Sequence, residues 1–161
     1  MLALPALAFE VAAANLGLDK ENRNLLPAEQ AFPFAARAID ARTIEVRFAV
    51  APGYYLYRDK LRFSATPAPG VGKPLFPAGE VKDDRFFGRV EVFRGDVLVR
   101  LPVVATAPGS AVVLSAEAQG CADAGVCYPP IVQRVMLELP QPGAGPLPFV
   151  DAQPARKRLF N

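Results

Sequence analysis

The stretch Thr43-Ile44-Glu45-Val46-Arg47-Phe48-Ala49-Val50 decides the fold. In an extended chain Ile44, Val46, Phe48 and Val50 fall on one side, with Glu45 and Arg47 on the other. That period of two marks a strand with one buried face. Val90 to Phe93 and Val97 to Val103 repeat the pattern across Arg94-Gly95-Asp96, a hairpin-type sequence. Ala111 to Glu117 and Ile131 to Leu139 supply further strands. Turn signals recur at Pro52-Gly53, Pro69-Gly70, Ala78-Gly79, Gly95-Asp96 and Pro108-Gly109, as many short strands require. Tyr57 to Leu61 has room for one helical turn at most. Short alternating strands bury their apolar faces by stacking two sheets, so the expected fold is all-β, an immunoglobulin-like β-sandwich. A closed barrel is the competing all-β solution.

The chain has 161 residues, enough for one domain with its own core. A net charge of +2 with 21% charged residues leaves no electrostatic footprint for nucleic acid. Histidine is absent, which excludes Ser-His-Asp and Cys-His catalysis and any His-ligated metal in this chain. Two cysteines do not make a structural zinc site. At the start, Met1 to Ala8 is apolar and closes with Ala6-Leu7-Ala8, the shape of a signal-peptidase site. Residues 1–24 therefore read as a signal remnant or flexible segment, and the chain as exported to where disulfides persist. At the other end, Pro140 to Pro154 holds five prolines and two glycines ahead of Arg156, Lys157 and Arg158. Residues 141–161 read as a Pro-rich linker, leaving 25–140 as the folded domain.

Cys121 and Cys127 bracket Ala122-Asp123-Ala124-Gly125-Val126. Asp123-Ala124-Gly125 suits a three-residue hairpin loop with glycine where φ is positive. The cysteines then oppose each other with Cα atoms about 4.5 Å apart, close enough for a disulfide without backbone movement. A seven-residue loop gains only about 2.4 kcal/mol from closure, little for a domain with its own core. A bridge at a hairpin tip is also reachable by a partner, as thiol–disulfide exchange requires. Most cysteine pairs in exported proteins are nevertheless structural, so staple and redox centre both stand on these grounds. A soft Cu(I) site would need a methionine besides the cysteines, and Met1 and Met136 sit in no Met-rich tract.

Gln119-Gly120-Cys121-Ala122-Asp123-Ala124-Gly125-Val126-Cys127-Tyr128-Pro129-Pro130 closely resembles the cysteine segment of the N-terminal periplasmic domain of the DsbD thiol:disulfide interchange proteins. Pro27-Ala28-Glu29-Gln30-Ala31-Phe32, Gly53-Tyr54-Tyr55-Leu56-Tyr57-Arg58 and Asp84-Arg85-Phe86-Phe87-Gly88 match the same family in order and separation. The resemblance covers roughly residues 25 to 140.

It implies an immunoglobulin-like domain whose cysteine pair sits on a β-hairpin and works without any cofactor or metal. Electrons would come from the thioredoxin-like C-terminal domain of the same protein. They would pass to periplasmic partners, namely the disulfide isomerases DsbC and DsbG and a thioredoxin-like cytochrome c maturation protein. The domain would be periplasmic, the soluble part of an inner-membrane protein, and monomeric when isolated. Cys127 would form the mixed disulfide and Cys121 resolve it. Phe86 stands at the position of a cap over the cysteines. Phe87 stands beside it as core or cap support; without the resemblance the two read as strand residues. Tyr55 and Tyr57, on one face of a strand, match aromatic positions lining the site. Asp84 matches an acidic residue near the sulfurs, whereas Arg85 replaces the acid often found next. A carboxylate and an apolar cover raise a thiol pKa, and Arg85, if aimed at the sulfurs, would lower it. Asp123 reads first as a turn former. The alternative is an immunoglobulin-like binding module with a purely structural disulfide.

Overall fold

The computed structural model describes residues 24–68 and 70–152. Pro69, the segment 1–23 read as a signal remnant, and the basic cluster 156–158 lie outside the described residues. A single helical turn, α1 (Ala28–Ala31), precedes β1 (Phe34–Asp40), β2 (Thr43–Ala49) and β3 (Tyr54–Tyr57). A 3₁₀ turn at Arg58–Lys60 then leads into β4 (Arg62–Thr66), β5 (Glu80–Asp84), β6 (Gly88–Phe93) and β7 (Asp96–Pro102). The chain closes with β8 (Ala111–Ala118), β9 (Gly120–Ala122), β10 (Ile131–Glu138) and β11 (Val150–Asp151). The pairing is antiparallel throughout, in three sheets ordered β11-β1-β2-β7, β10-β8-β4 and β5-β6-β3-β9.

The first two sheets form the sandwich expected from the alternating pattern. Ile44, Val46, Phe48 and Val50 are buried and share one core with Val97, Val99 and Leu101 from β7 and Val112, Leu114, Val135 and Leu137 from β8 and β10. Glu45, on the outer side of β2, is also buried. Arg37 and Arg100 stand opposite it on the neighbouring strands, and Arg37 bonds it at 2.7 and 3.0 Å. The carboxylate is thus paired, the condition under which burying it is tolerable.

Three expectations fail. Arg94-Gly95-Asp96 makes no hairpin: β6 pairs with β3 and β5, while β7 pairs with β2, so the turn passes the chain between sheets. Its residues suit a tight turn, but local chemistry does not say which strands flanking it will pair. Ala78-Gly79 does not turn either; the chain there runs without a turn or bend into β5, and glycine is needed because a Cβ would lie 2.6 Å from the Glu91 side chain. The Pro-rich tail is no free linker over its described part, residues 141–152. Val150 and Asp151 pair with β1, Leu147 packs on the core, and the Arg37 guanidinium covers the Phe149 ring at 4.4 Å. Proline removes donors, yet an edge strand needs only one bonded side, so two residues suffice to dock the segment.

Candidate functional site

The third sheet carries the cysteines, and β3 explains how. All four of its residues are buried, because the strand is covered on both faces. Tyr54 and Leu56 point into the main core. Tyr55 and Tyr57, the alternate pair, point the other way into a second cluster with Val92 and Cys121. The same division runs through its neighbours: Phe93 and Ala122 face the core, Val92 and Cys121 the site. One run of four apolar and aromatic residues therefore builds the floor of the site on the reverse of the wall of the core.

Cys121 sits on β9 opposite Tyr55 and is joined by a disulfide to Cys127, with Cα atoms 4.0 Å apart. The hairpin between them is closed by Ala122 N–H to Val126 O at 2.8 Å and Gly125 N–H to Ala122 O at 2.9 Å. Gly125 has φ +93°, the conformation its position in the loop requires. Gly120 is needed for space: a Cβ there would run into Tyr55 O and the Phe32 ring. Beyond the hairpin, Tyr128 packs edge-on to Phe32 and donates its hydroxyl to Leu26 O at 2.6 Å. Burial raises the Tyr128 pKa to about 12, with the Tyr54 hydroxyl adding to it. Cys121 is fully buried, while Cys127 is half-buried. Cys127 is therefore the more accessible residue of the pair.

Asp84 organises the other wall. It is a buried carboxylate accepting four hydrogen bonds, two from the Tyr55 and Tyr57 hydroxyls (2.9 and 2.8 Å) and two from the backbone N–H groups of Phe86 and Phe87 (2.8 and 3.1 Å). Burial pushes its pKa up, but the four donors together outweigh that and hold it below the ordinary carboxylate value. Burial, with the Asp84 charge beside them, raises both tyrosine pKa values, Tyr57 furthest. The Tyr57 oxygen also lies 3.1 Å from Cys121 Sγ and 3.9 Å from Cys127 Sγ. Its single proton goes to the carboxylate, the stronger acceptor, so the sulfur faces a lone pair.

Asp84 thus fixes the turn that carries the expected cap. Phe86 and Phe87 lie in that turn rather than in a strand, 53% and 46% exposed. Phe87 and Tyr57 form a T-shaped pair at 5.1 Å, and the Lys60 ammonium lies over the Phe87 ring at 4.7 Å. The Arg85 guanidinium stacks on the Phe86 ring at 4.6 Å, and its tip comes within 3.7 Å of the place a Gly125 side chain would occupy. The Arg85 side chain thus reaches from the cap turn toward Gly125 of the cysteine hairpin. Asp123 is held by Arg94 through two bonds, 2.8 and 3.0 Å. The Arg94 partnership was not legible in the sequence, since its partner lies 29 residues away in the turn of the cysteine hairpin. Lys60 and Lys82, each with its ammonium over a ring of the site, were likewise unannounced by any motif. A cleft of about 250 Å³ lined by Tyr57, Lys60, Phe87 and Arg89 opens beside them.

Fold and site together define a class: an immunoglobulin-like domain with a disulfide set in a short hairpin against tyrosines and a buried carboxylate. The family described as "Thiol:disulfide interchange protein DsbD, N-terminal" matches residues 22–139, and the chain belongs to it. The DsbD protein of Ralstonia nicotianae is 46% identical over 145 residues, 85% of this chain and 23% of the relative. That of Cronobacter sakazakii is 39% identical over 131 residues, 81% of this chain and 22% of the relative. The chain thus spans under a quarter of the length of these curated relatives. Among solved structures, the reduced N-terminal domain of Neisseria meningitidis DsbD superposes with a TM-score of 0.68 and 37% identity, covering 80% of this chain and 96% of that one. The complex between the DsbD and PilB N-terminal domains of the same organism gives 0.60 and 41%, covering 70% and 87%. Among the described residues no helix is long and apolar enough to cross a membrane.

Proposed function

We propose that this domain relays electrons by opening and closing the Cys121–Cys127 disulfide, taking them from the thioredoxin-like C-terminal domain of the same protein and passing them to disulfide-bonded partners in the periplasm. The observation that carries this reading is the asymmetry of the pair: one cysteine sealed among Tyr55, Tyr57 and Val92, the other only half-buried on the returning arm of the hairpin. In the first exchange a donor thiolate attacks Cys127 Sγ. The disulfide breaks, and Cys121 leaves with the electron pair as a thiolate that takes up a proton. The donor's second thiolate then attacks the mixed disulfide, releasing Cys127 reduced and the donor oxidised. In the second exchange Cys127 attacks a partner disulfide and Cys121 resolves the mixed disulfide, so two electrons and two protons pass on.

Phe86 is assigned the role of cap over the sulfurs, and Phe87 with Tyr57 supports it. The cap turn's anchorage on Asp84 and the reach of Arg85 toward Gly125 favour that role. The solved complex with a PilB N-terminal domain shows that a relative of this domain docks another protein. By the resemblance, DsbC, DsbG and a thioredoxin-like cytochrome c maturation protein are the acceptors, and the setting is the periplasmic side of the inner membrane. Cys121→Ser decides the roles: it is expected to trap a mixed disulfide through Cys127 with a thioredoxin-fold partner. Trapping only in Cys127→Ser would reverse the assignment, and trapping in neither would return the pair to a structural staple.

A further inference from the structure

Arg94 takes no part in the exchange chemistry above, yet one guanidinium touches three elements around the cysteines. It bonds the Asp123 carboxylate at the hairpin tip through two nitrogens at 2.8 and 3.0 Å. It donates to Tyr54 O on β3 at 3.3 Å and lies 5.1 Å from the centre of the Tyr55 ring. Its Nε is 3.6 Å from Glu80 on β5. Among the described residues this is the one ion pair made by the cysteine hairpin, residues 121–127.

We propose that Arg94 is a positioning residue for disulfide closure: with Asp123 it braces the cysteine hairpin so that the two sulfurs stay opposed while the bond between them is open. The proposal rests on the exchange reading, since a permanent disulfide needs no brace. β9 is three residues long and pairs with β3 along one edge only; across its other edge the hairpin is joined by the single Cys121–Cys127 bridge. When the sulfurs part, the hairpin keeps four backbone hydrogen bonds, from Tyr128 to Gly120, Ala122 to Val126, Gly125 to Ala122 and Asp123 to Gly53. The Arg94 fork adds two charge-assisted bonds at the loop's outer end, where leverage against wagging is greatest. Each partner shifts the other's protonation in the direction that keeps both charged.

Such a pair is half-exposed and adds little to global stability. Its effect is local. Closing a ring from a loop already held in register costs less conformational entropy than closing it from a loose one. The brace therefore enters the closure equilibrium directly. Closure releases two electrons and two protons from the thiols; with glutathione disulfide as acceptor, one disulfide becomes two glutathione thiols.

The test equilibrates the full chain in glutathione redox buffers, quenches with acid, alkylates free thiols and weighs the products by mass spectrometry. Arg94→Gln and Asp123→Asn are each expected to lower the closure constant three- to tenfold, a rise of about 14–30 mV in potential, tenfold being 29.6 mV. The double variant is expected to match the larger single effect, because both changes cut one interaction. Thermal unfolding of the oxidised protein checks that each variant is folded. If Arg94→Gln does not fold, Asp123→Asn decides, since it leaves the Arg94 contacts with Tyr54 O and Glu80 in place. A closure constant within threefold of the wild type in either folded single variant, or effects that multiply in the double, would overturn the brace. A wild-type pair that no glutathione buffer opens would refute the exchange function itself, and the brace with it.

Discussion

Replacing Asp84 by Asn tests how the site holds its thiols. The Asp84 carboxylate and Cys121 Sγ are both in contact with the Tyr57 hydroxyl, at 2.8 and 3.1 Å, so they lie no more than about 6 Å apart. Two unit negative charges at that separation repel by about 2.8 kcal/mol at an effective dielectric of about 20. This corresponds to roughly two pKa units on a Cys121 thiolate. Asp84 also claims the Tyr57 proton, so a reduced Cys121 meets an acceptor for its S–H rather than a donor for S⁻. Asn keeps the shape and can still accept from the Phe86 and Phe87 N–H groups, but it removes the charge and frees the Tyr57 proton for the sulfur. The assay is alkylation of the reduced protein by iodoacetamide across pH, with Cys121 and Cys127 read separately by peptide mass. In Asp84→Asn the apparent thiol pKa is expected to fall by about one to two units. The rate at neutral pH should rise by about tenfold at most, because nucleophilicity falls as pKa falls. A pKa unchanged in a folded Asp84→Asn domain would refute the view that this carboxylate keeps the cysteines protonated.

The other predictions concern the cap, pH, space and the tail. Phe86→Ala should speed alkylation of the reduced wild-type pair at every pH, whereas equal rates in the two proteins would remove Phe86 from the shield. Asp84 has a folded pKa below its unfolded value, so its contribution to stability is complete above about pH 4 and lost as pH falls through the lowered value. Acid titration of the melting temperature should show that loss, and Asp84→Asn should flatten it. Tyr55, Tyr57 and Tyr128 have raised folded pKa values, so what they contribute is complete below about pH 10 and lost above it; tyrosinate absorbance should rise together with unfolding. Gly120→Ala places a methyl against Tyr55 O and Phe32 and should cost about 1–3 kcal/mol in urea denaturation. Ending the chain after Leu139 removes β11, Leu147 and Phe149 from the sandwich and should destabilise it by about 2 kcal/mol; an unchanged midpoint would restore the linker reading.

What the sequence yields follows the range of the physics involved. The alternation of Thr43 to Val50 is local, and each of its inward residues is buried as read. The cysteine hairpin is local too: its loop residues, the opposed sulfurs and the glycine with positive φ all follow from seven consecutive positions. The spacing of Tyr55 and Tyr57 puts both on one face, although spacing alone does not reveal that the reverse face of the same strand belongs to the main core. Pairing between distant segments was hidden. Arg94-Gly95-Asp96 has hairpin chemistry, but the pattern of residues 90–103 is equally served by two strands in different sheets. The docking of Val150 and Asp151 on β1 depends on an edge that exists only after the sandwich has formed. Asp84 could be placed near the sulfurs by resemblance, but its four hydrogen bonds come from β3 and from the turn it begins.

The midpoint potential of Cys121–Cys127, measured on the wild-type chain against a reference dithiol buffer, bears on all of this at once. A relay that is opened and closed by thioredoxin-fold proteins should lie among them, between roughly −120 and −270 mV. A value below about −300 mV would mark a bond the periplasm never reopens and would leave a structural staple in place of an electron carrier.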